Sequence, residues 1–187
     1  KVFRTYNASI TLQTELAKGS IDPDTDTVET KVKFYEDCNR KVAILCNHQK
    51  SVPKTHEQAM EKAREVLQEK HAKLKKYEDL LKAYKTGKEL KGYLKTLASE
   101  KGAPKNTEAC KTAIAKLKDR IQKDELKMQA REDNKSVALG TSRINYMDPR
   151  ITISWCKLKD VPIEKIFQAN LQAKFNWAMN NDPEWQF

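Results

Sequence analysis

The sequence predicts a mainly α-helical protein carrying a protruding antiparallel coiled-coil hairpin. Three observations carry that expectation. At both ends of the chain apolar side chains recur at roughly helical spacing. In the middle, Met60, Leu67, Leu74 and Leu81 recur every seven residues. Charged residues make up 33% of the sequence, high for one compact globule and natural for an extended, solvated element.

In chain order, Val2, Phe3, Tyr6, Ile10, Leu12 and Leu16 define a core-facing helix over residues 1–18, stopped at Gly19. Arg4 lies in its first turns, where a solvated helix residue is the plainest account. Ser20–Thr27, with Asp22-Pro23-Asp24, reads as an exposed loop, and a second helix is expected over Val28–Asn39. The segment Lys41–Gln49 is short, apolar and buried in character, and ends on Asn47-His48. A histidine there is more often structural than catalytic. Val52-Pro53 marks a boundary.

From Lys54 the texture changes. The heptad positions are joined by Ala63, Tyr77 and Tyr84, with Lys70 the exception in the seam. A second stripe, Cys110, Ile114, Leu117, Ile121 and Met128, is interrupted by charge around Asp124. Each run would be about 45 Å long at the helical rise. Between them, Thr86–Lys105 holds Gly87, Gly92, Gly102 and Pro104 with a short apolar set at Leu90, Leu94 and Leu97. Two matched seams joined by a breaker-rich tip predict a hairpin over 54–135 with no core beyond its seam.

The stretch Leu139–Arg150 follows that charged region and precedes the most apolar segment of the chain. Gly140 and the Thr141-Ser142 pair are expected to break the helix, and Asp148-Pro149 reads as an N-cap followed by proline at the first helical position. The connector between them carries Tyr146 flanked by Arg143, Asn145 and Arg150. On these residues alone two accounts stay open: a phenol activated to attack a phosphate, or a buried ring with its hydroxyl satisfied. Beyond it, Ile151–Leu158 predicts a packed helix and Val161–Phe167 the start of another. A final amphipathic helix is expected to contain Leu171, Phe175, Trp177, Ala178 and Met179.

Net charge is +10 and uneven. Residues 1–53 carry 8 basic and 7 acidic side chains, 54–135 carry 22 and 14, and 136–187 carry 6 and 5. A basic excess confined to the middle points to a polyanionic partner, nucleic acid first and an acidic membrane surface second. Cys38, Cys46, Cys110 and Cys156 have neither CxxC spacing nor histidine at zinc-ligand spacing, so reduced thiols in an intracellular compartment are expected and no metal site. No apolar run approaches a membrane span and no signal peptide is visible. The chain opens on Lys-Val-Phe-Arg without methionine and reads as a piece of a longer polypeptide.

Four segments together resemble the C-terminal part of eukaryotic type IB DNA topoisomerases: KVFRTYNASITLQ at 1–13, VAILCNHQK at 42–50, VALGTSRINYMDPRITISWCK at 137–157 and VPIEKIF at 161–167. Their order and spacing follow the family, while the middle matches it in length and helical character only. The resemblance implies the helical part of a topoisomerase IB/tyrosine-recombinase-like catalytic domain. Residues 1–53 would end the catalytic core, 54–135 would form the hairpin linker, and 136–187 would be the tyrosine-bearing C-terminal domain. It implies transesterification on double-stranded DNA: a tyrosine joins the 3′ phosphate, supercoils are released by swivelling, and the reverse attack reseals the strand. Tyr146 matches the nucleophile, Arg4 a scissile-phosphate arginine, and His48 the histidine that donates to a non-bridging oxygen. Asn145 matches a residue lining the site of camptothecin-type poisons.

Those residue types suit the chemistry. A free phenol titrates near about 10, so attack at neutral pH needs positive charge nearby. A guanidinium and an imidazole stabilise the equatorial oxygens of the phosphorus centre without a metal, and no cofactor or ATP is expected because the ester conserves the bond. Two departures stand out. Arg143 replaces the family's usual lysine, which leaves any DNA contact by that side chain in doubt. The family's second phosphate-binding arginine and its general-acid lysine have no match here and belong upstream, so the chain carries three of five catalytic groups. Alone, it is expected to be inactive and to need the upstream part of the same polypeptide. Nuclear localisation is implied, with a mitochondrial relative as the alternative. The competing readings are a non-catalytic basic helical DNA-binding module on the same scaffold and, less favoured, a tyrosine recombinase.

Overall fold

A computed structural model describes residues 2–86, 92–100 and 102–187. Its described residues are mainly α-helical: α1 (Val2–Lys18), α2 (Val28–Leu45), α3 (His56–Thr86), α4 (Tyr93–Ser99), α5 (Thr107–Asp133), α6 (Leu139–Asn145), α7 (Pro149–Leu158) and α8 (Ala169–Lys174). Single 3-10 turns follow at Ile163–Lys165 and Asn176–Ala178. Among the described residues no helix is long and apolar enough to cross a membrane. The chain divides into two units, Lys1–Pro53 with Ala130–Phe187, and Lys54–Gln129.

In the first unit, α1, α2 and α7 supply most of the core. Residues 151–156 are buried without interruption, so α7 is the central element. Leu12 of α1, Tyr35 and Val42 of α2, and Phe167 are fully buried around it. The Trp155 ring packs against Tyr35 at 5.5 Å and Phe34 at 6.3 Å between centroids. One buried polar link fixes α2 on α7, a 2.7 Å hydrogen bond between the Tyr35 and Thr152 hydroxyls. Gly19 does more than end α1: a Cβ there would come within 2.1 Å of the Phe34 ring, so the position is small because Phe34 occupies the space.

Several sequence expectations are corrected here. The Gly140-Thr141-Ser142 break is instead part of α6. Its low propensity is offset by tertiary bonds, with Asn39 Nδ2 donating to the Leu139 carbonyl and Arg143 to that of Ile166. The second helix runs to Leu45 and absorbs most of the segment read as buried; Ile44 and Leu45 are exposed on its last turn. At the start of α1, Val2, Phe3 and Tyr6 are exposed, and the core face is instead Ala8, Ser9, Leu12 and Leu16. Residues 161–167 form no helix beyond a 3-10 turn: backbone at Pro162 (ψ 126°) and Gln168 (ψ 161°) is extended on either side of it, and Ile166 and Phe167 are buried in the core. The final helix stops at Lys174. Leu171, Phe175 and Ala178 keep their buried spacing through a tightened turn, while Trp177 is exposed.

In the second unit, Lys70 bonds Asp124 and Lys118 pairs with Glu78 at 3.1 Å. The α5 partner number falls as α3 advances, so the two helices run antiparallel. Tyr77, Leu80, Leu97, Cys110 and Ile114 form a cluster flanked by half-buried Leu74, Leu81, Tyr84 and Leu117. Leu97 comes from α4, so the unit has a small core with three helices in it rather than a bare two-helix seam. Of the expected tip set, Leu94 and Leu97 lie in α4, whereas Gly87 and Leu90 lie outside the described residues.

Candidate functional site

Four segments of the first unit converge on Tyr146. The residue is the C-cap of α6, with backbone angles φ −130° and ψ −22° and its N–H donating to the Ser142 carbonyl at 2.9 Å. The next residue, Met147, is buried in the core. Asp148 then caps α7 by accepting from the Arg150 N–H at 2.9 Å, and Pro149 follows as expected at the first helical position. The tyrosine is thus held between two helix ends, half-buried.

His48 is delivered by a helix stop. Asn47 adopts φ 56°, and the Asn47 and His48 amides donate to the carbonyls of Ile44 and Ala43 at 2.9 and 2.8 Å. That is a Schellman arrangement with asparagine in the left-handed position, where a short polar side chain is tolerated. A short antiparallel pairing then ties this segment to the lead-in of α6: Ala138 N–H donates to the His48 carbonyl at 2.8 Å and Lys50 N–H to that of Ser136 at 3.0 Å. The imidazole Nδ1 lies 2.9 Å from the hydroxyl of Ser142, which is fully buried. With Nδ1 so engaged, Nε2 is the ring nitrogen left for a ligand.

The three side chains expected to act together are brought together. The His48 and Tyr146 ring centroids are 5.2 Å apart, and the Arg4 guanidinium carbon is 5.5 Å from the Tyr146 centroid. Arg4 is exposed on the first turns of α1. Burial, with the Arg4 charge second, lowers the His48 imidazole below its ordinary value of 6.5.

Asn145 and Arg143 are placed differently. Asn145 is exposed and its Nδ2 donates to the Thr141 carbonyl at 3.2 Å. Arg143 donates to the Ile166 carbonyl at 2.7 Å, and its guanidinium carbon is 5.5 Å from the ring centroid of fully buried Tyr35. It braces α6 against the core, and its Nε is buried without a hydrogen-bond partner. Burial pushes the Tyr35 phenol up to about 12 and the Cys156 thiol to about 12, so both stay protonated as core groups.

Two serines escaped the sequence reading. Ser9, fully buried on α1, donates to the Tyr146 carbonyl at 3.4 Å and accepts from the Asp148 N–H at 3.0 Å. It pins the Tyr146 carbonyl and the backbone two residues further on to the helix that carries Arg4. Ser142 does the corresponding service for His48. A small polar residue on a helix face gives no signal of such a role, whereas asparagine after an apolar helical run is a legible stop that places His48.

A family model described as eukaryotic DNA topoisomerase I, catalytic core, matches residues 1–81, and one described as C-terminal topoisomerase domain matches 118–187. The chain belongs to the eukaryotic type IB DNA topoisomerase family. Among its relatives, DNA topoisomerase 1 beta of Arabidopsis thaliana is 47% identical over all of this chain and 20% of its own length. DNA topoisomerase 1 of Homo sapiens is 42% identical over all of this chain and 23% of its own length. The chain therefore spans only about a fifth of the length of such relatives. Arg4 and His48 fall in the catalytic-core match and Tyr146 in the C-terminal match.

Proposed function

We propose that this chain is the tyrosine-bearing portion of an enzyme that relaxes supercoiled double-stranded DNA. Tyr146 Oη attacks a backbone phosphorus, forming a 3′-phosphotyrosyl ester as the bond to the 5′ oxygen breaks. The phenol loses its proton and the leaving 5′ oxygen gains one. Religation is the reverse attack by that 5′ hydroxyl, and since the ester conserves the phosphodiester bond, neither ATP nor a metal is required. Arg4 and the His48 Nε2 bind the non-bridging oxygens, where charge accumulates in the transition state. A Ser142 hydroxyl that donates to Nδ1 leaves the proton on Nε2, so a neutral imidazole can still donate to phosphate.

One observation carries this reading: residues 4, 48 and 146, remote in sequence and on separate elements, place a guanidinium and an imidazole against one tyrosine ring. In this reading residues 1–53 end the catalytic core, 54–135 form a basic coiled-coil linker, and 136–187 present the nucleophile. Asn145 and Arg143 flank the DNA-facing turn, Asn145 through its exposed side chain and Arg143 by bracing α6. The enzyme acts in the nucleus or, as a relative, in mitochondria. It depends on the upstream polypeptide for its remaining catalytic groups.

Plasmid relaxation without ATP or magnesium tests the reading. The full-length polypeptide is expected to relax supercoils, its Tyr146→Phe variant to lose covalent-complex formation, and residues 1–187 alone to remain inactive. Equal relaxation by wild type and Tyr146→Phe removes Tyr146 from the mechanism. Robust relaxation by 1–187 alone overturns the dependence on upstream groups.

A further inference from the structure

The last seven residues of the chain fold back over α7, which begins just after Tyr146, and α1, which carries Arg4. At one end, Asn181 and Asp182 are tied to α7: the Ser154 hydroxyl donates to the Asp182 carbonyl at 2.7 Å, Asn181 Nδ2 donates to Ser154 Oγ at 2.8 Å, and Lys157 Nζ donates to the Asn181 carbonyl at 2.7 Å. At the other end the Phe187 N–H donates to Gln13 Oε1 of α1 at 2.5 Å, and its ring lies 6.0 Å from that of Tyr6. Between these anchors sits Trp185, and the Arg150 guanidinium carbon lies 4.1 Å from its ring centroid.

That stacked cation leads to the nucleophile in two steps. Arg150 grips the Asp148 carboxylate with a fork, Nε to Oδ1 at 3.0 Å and Nη2 to Oδ2 at 2.8 Å. Capping α7 needs only the bond from the Arg150 backbone; the fork additionally fixes the carboxylate plane and so the backbone two residues after Tyr146. The Asp148 N–H is bound in turn to Ser9, which also holds the Tyr146 carbonyl. Face-on stacking on indole orients a guanidinium and restricts its rotamers, which a solvated arginine would not do.

We propose that Trp185 and Arg150 are positioning residues for Tyr146: the C-terminal strap locks Arg150, Arg150 locks Asp148, and the locked turn aims the phenol. The inference rests on the reading of Tyr146 as nucleophile. Neither residue touches the reacting atoms, so losing either should slow strand cleavage without weakening DNA binding.

The test is single-turnover formation of covalent protein–DNA complex on a labelled duplex by the full-length polypeptide, with the dissociation constant measured alongside. Trp185→Ala is expected to cleave about tenfold more slowly, since a misplacement of about 1 Å in a reacting group costs about a hundredfold and a smaller one correspondingly less. Its affinity should match wild type, and Trp185→Phe, which keeps an aromatic face, should recover most of the rate. If Trp185→Ala fails to fold, Arg150→Lys decides, because it keeps the charge and loses the fork: a comparable slowing at unchanged affinity supports the strap. Wild-type cleavage by a folded Trp185→Ala, or by Arg150→Lys where the former does not fold, overturns it. So does a loss in Trp185→Ala that Trp185→Phe does not recover. Wild-type cleavage by Tyr146→Phe instead overturns the assignment of the nucleophile, so the two failures are distinct.

Discussion

The first unit gathers into one cluster side chains that run in sequence from Ala8 to Ala178, whereas the cluster of the second unit lies between Tyr77 and Ile114 and is built from neighbours. Polar groups differ in the same sense. In the first unit fully buried hydroxyls of Ser9 and Ser142 each hold one functional segment. In the second, Lys118–Glu78 and His71–Glu125 join half-exposed or exposed side chains across the helices. The difference teaches where positional accuracy is needed. The transesterification proposed above requires a fixed phenol, guanidinium and imidazole, and the first unit supplies a dry, crosslinked interior to hold them. A charged helical arm needs only to persist.

The largest effect should come from breaking each core in turn. Phe167 is fully buried, and Phe167→Ala is expected to cost roughly 3–5 kcal/mol through lost transfer energy and the cavity left behind. Leu80 is also fully buried, but its cluster is small and flanked by half-buried residues, so Leu80→Ala should fall at the low end, about 2–3 kcal/mol. The tryptophans, Trp155, Trp177 and Trp185, all belong to the first unit. Their fluorescence in a denaturant titration should therefore shift for Phe167→Ala and stay in place for Leu80→Ala, while amide-exchange protection of α3 and α5 falls only in the latter. Equal displacement of the fluorescence transition by both variants breaks the comparison.

A smaller effect sharpens the claim about the dry interior. Burial, followed by the charge of Arg4, depresses the His48 imidazole below 6.5. The unfolded chain takes up its proton near that value and the folded chain only at lower pH. Relative stability is thus fully kept above 6.5 and lost as pH falls from there through the folded midpoint. An NMR titration of the His48 ring should give a midpoint below 6.5, and Arg4→Ala should move it upward. A midpoint at or above 6.5 in the wild type would mean that the ring is neither desolvated nor influenced by Arg4.

The helical character of the chain, the Asp148-Pro149 cap and the recurrence in the middle are legible in the sequence because each depends on residues close together in it. Gly140–Ser142, 161–167 and Trp177 are not legible in the same way, since long-range contacts decide those: Asn39 on Leu139, the burial of Ile166 and Phe167 in the core, and Arg150 facing Trp177 at 5.8 Å. Tyr146, Arg4 and His48 were visible through the segments around them. Ser9, Ser142 and the Trp185 strap were not, because nothing local distinguishes a serine that bonds a neighbouring helix from one that bonds water.

The smallest effect concerns the two flaws of the heptad pattern. Lys70 stands where α3 should be apolar, and Asp124 stands where the stripe of α5 is broken; the structure bonds the two to each other. Their side chains are 30% and 36% exposed, so water competes for the pair and its net contribution should be below about 1 kcal/mol. Lys70→Leu alone leaves Asp124 facing an apolar side chain and should reduce amide protection in α3 slightly. Replacing both with leucine removes the desolvation cost along with the attraction and should raise protection in α3 and α5 by about 1 kcal/mol. If the double variant is instead less protected than wild type, the pair stabilises the helices more than an apolar seam would, and the two units would be alike in relying on specific polar contacts.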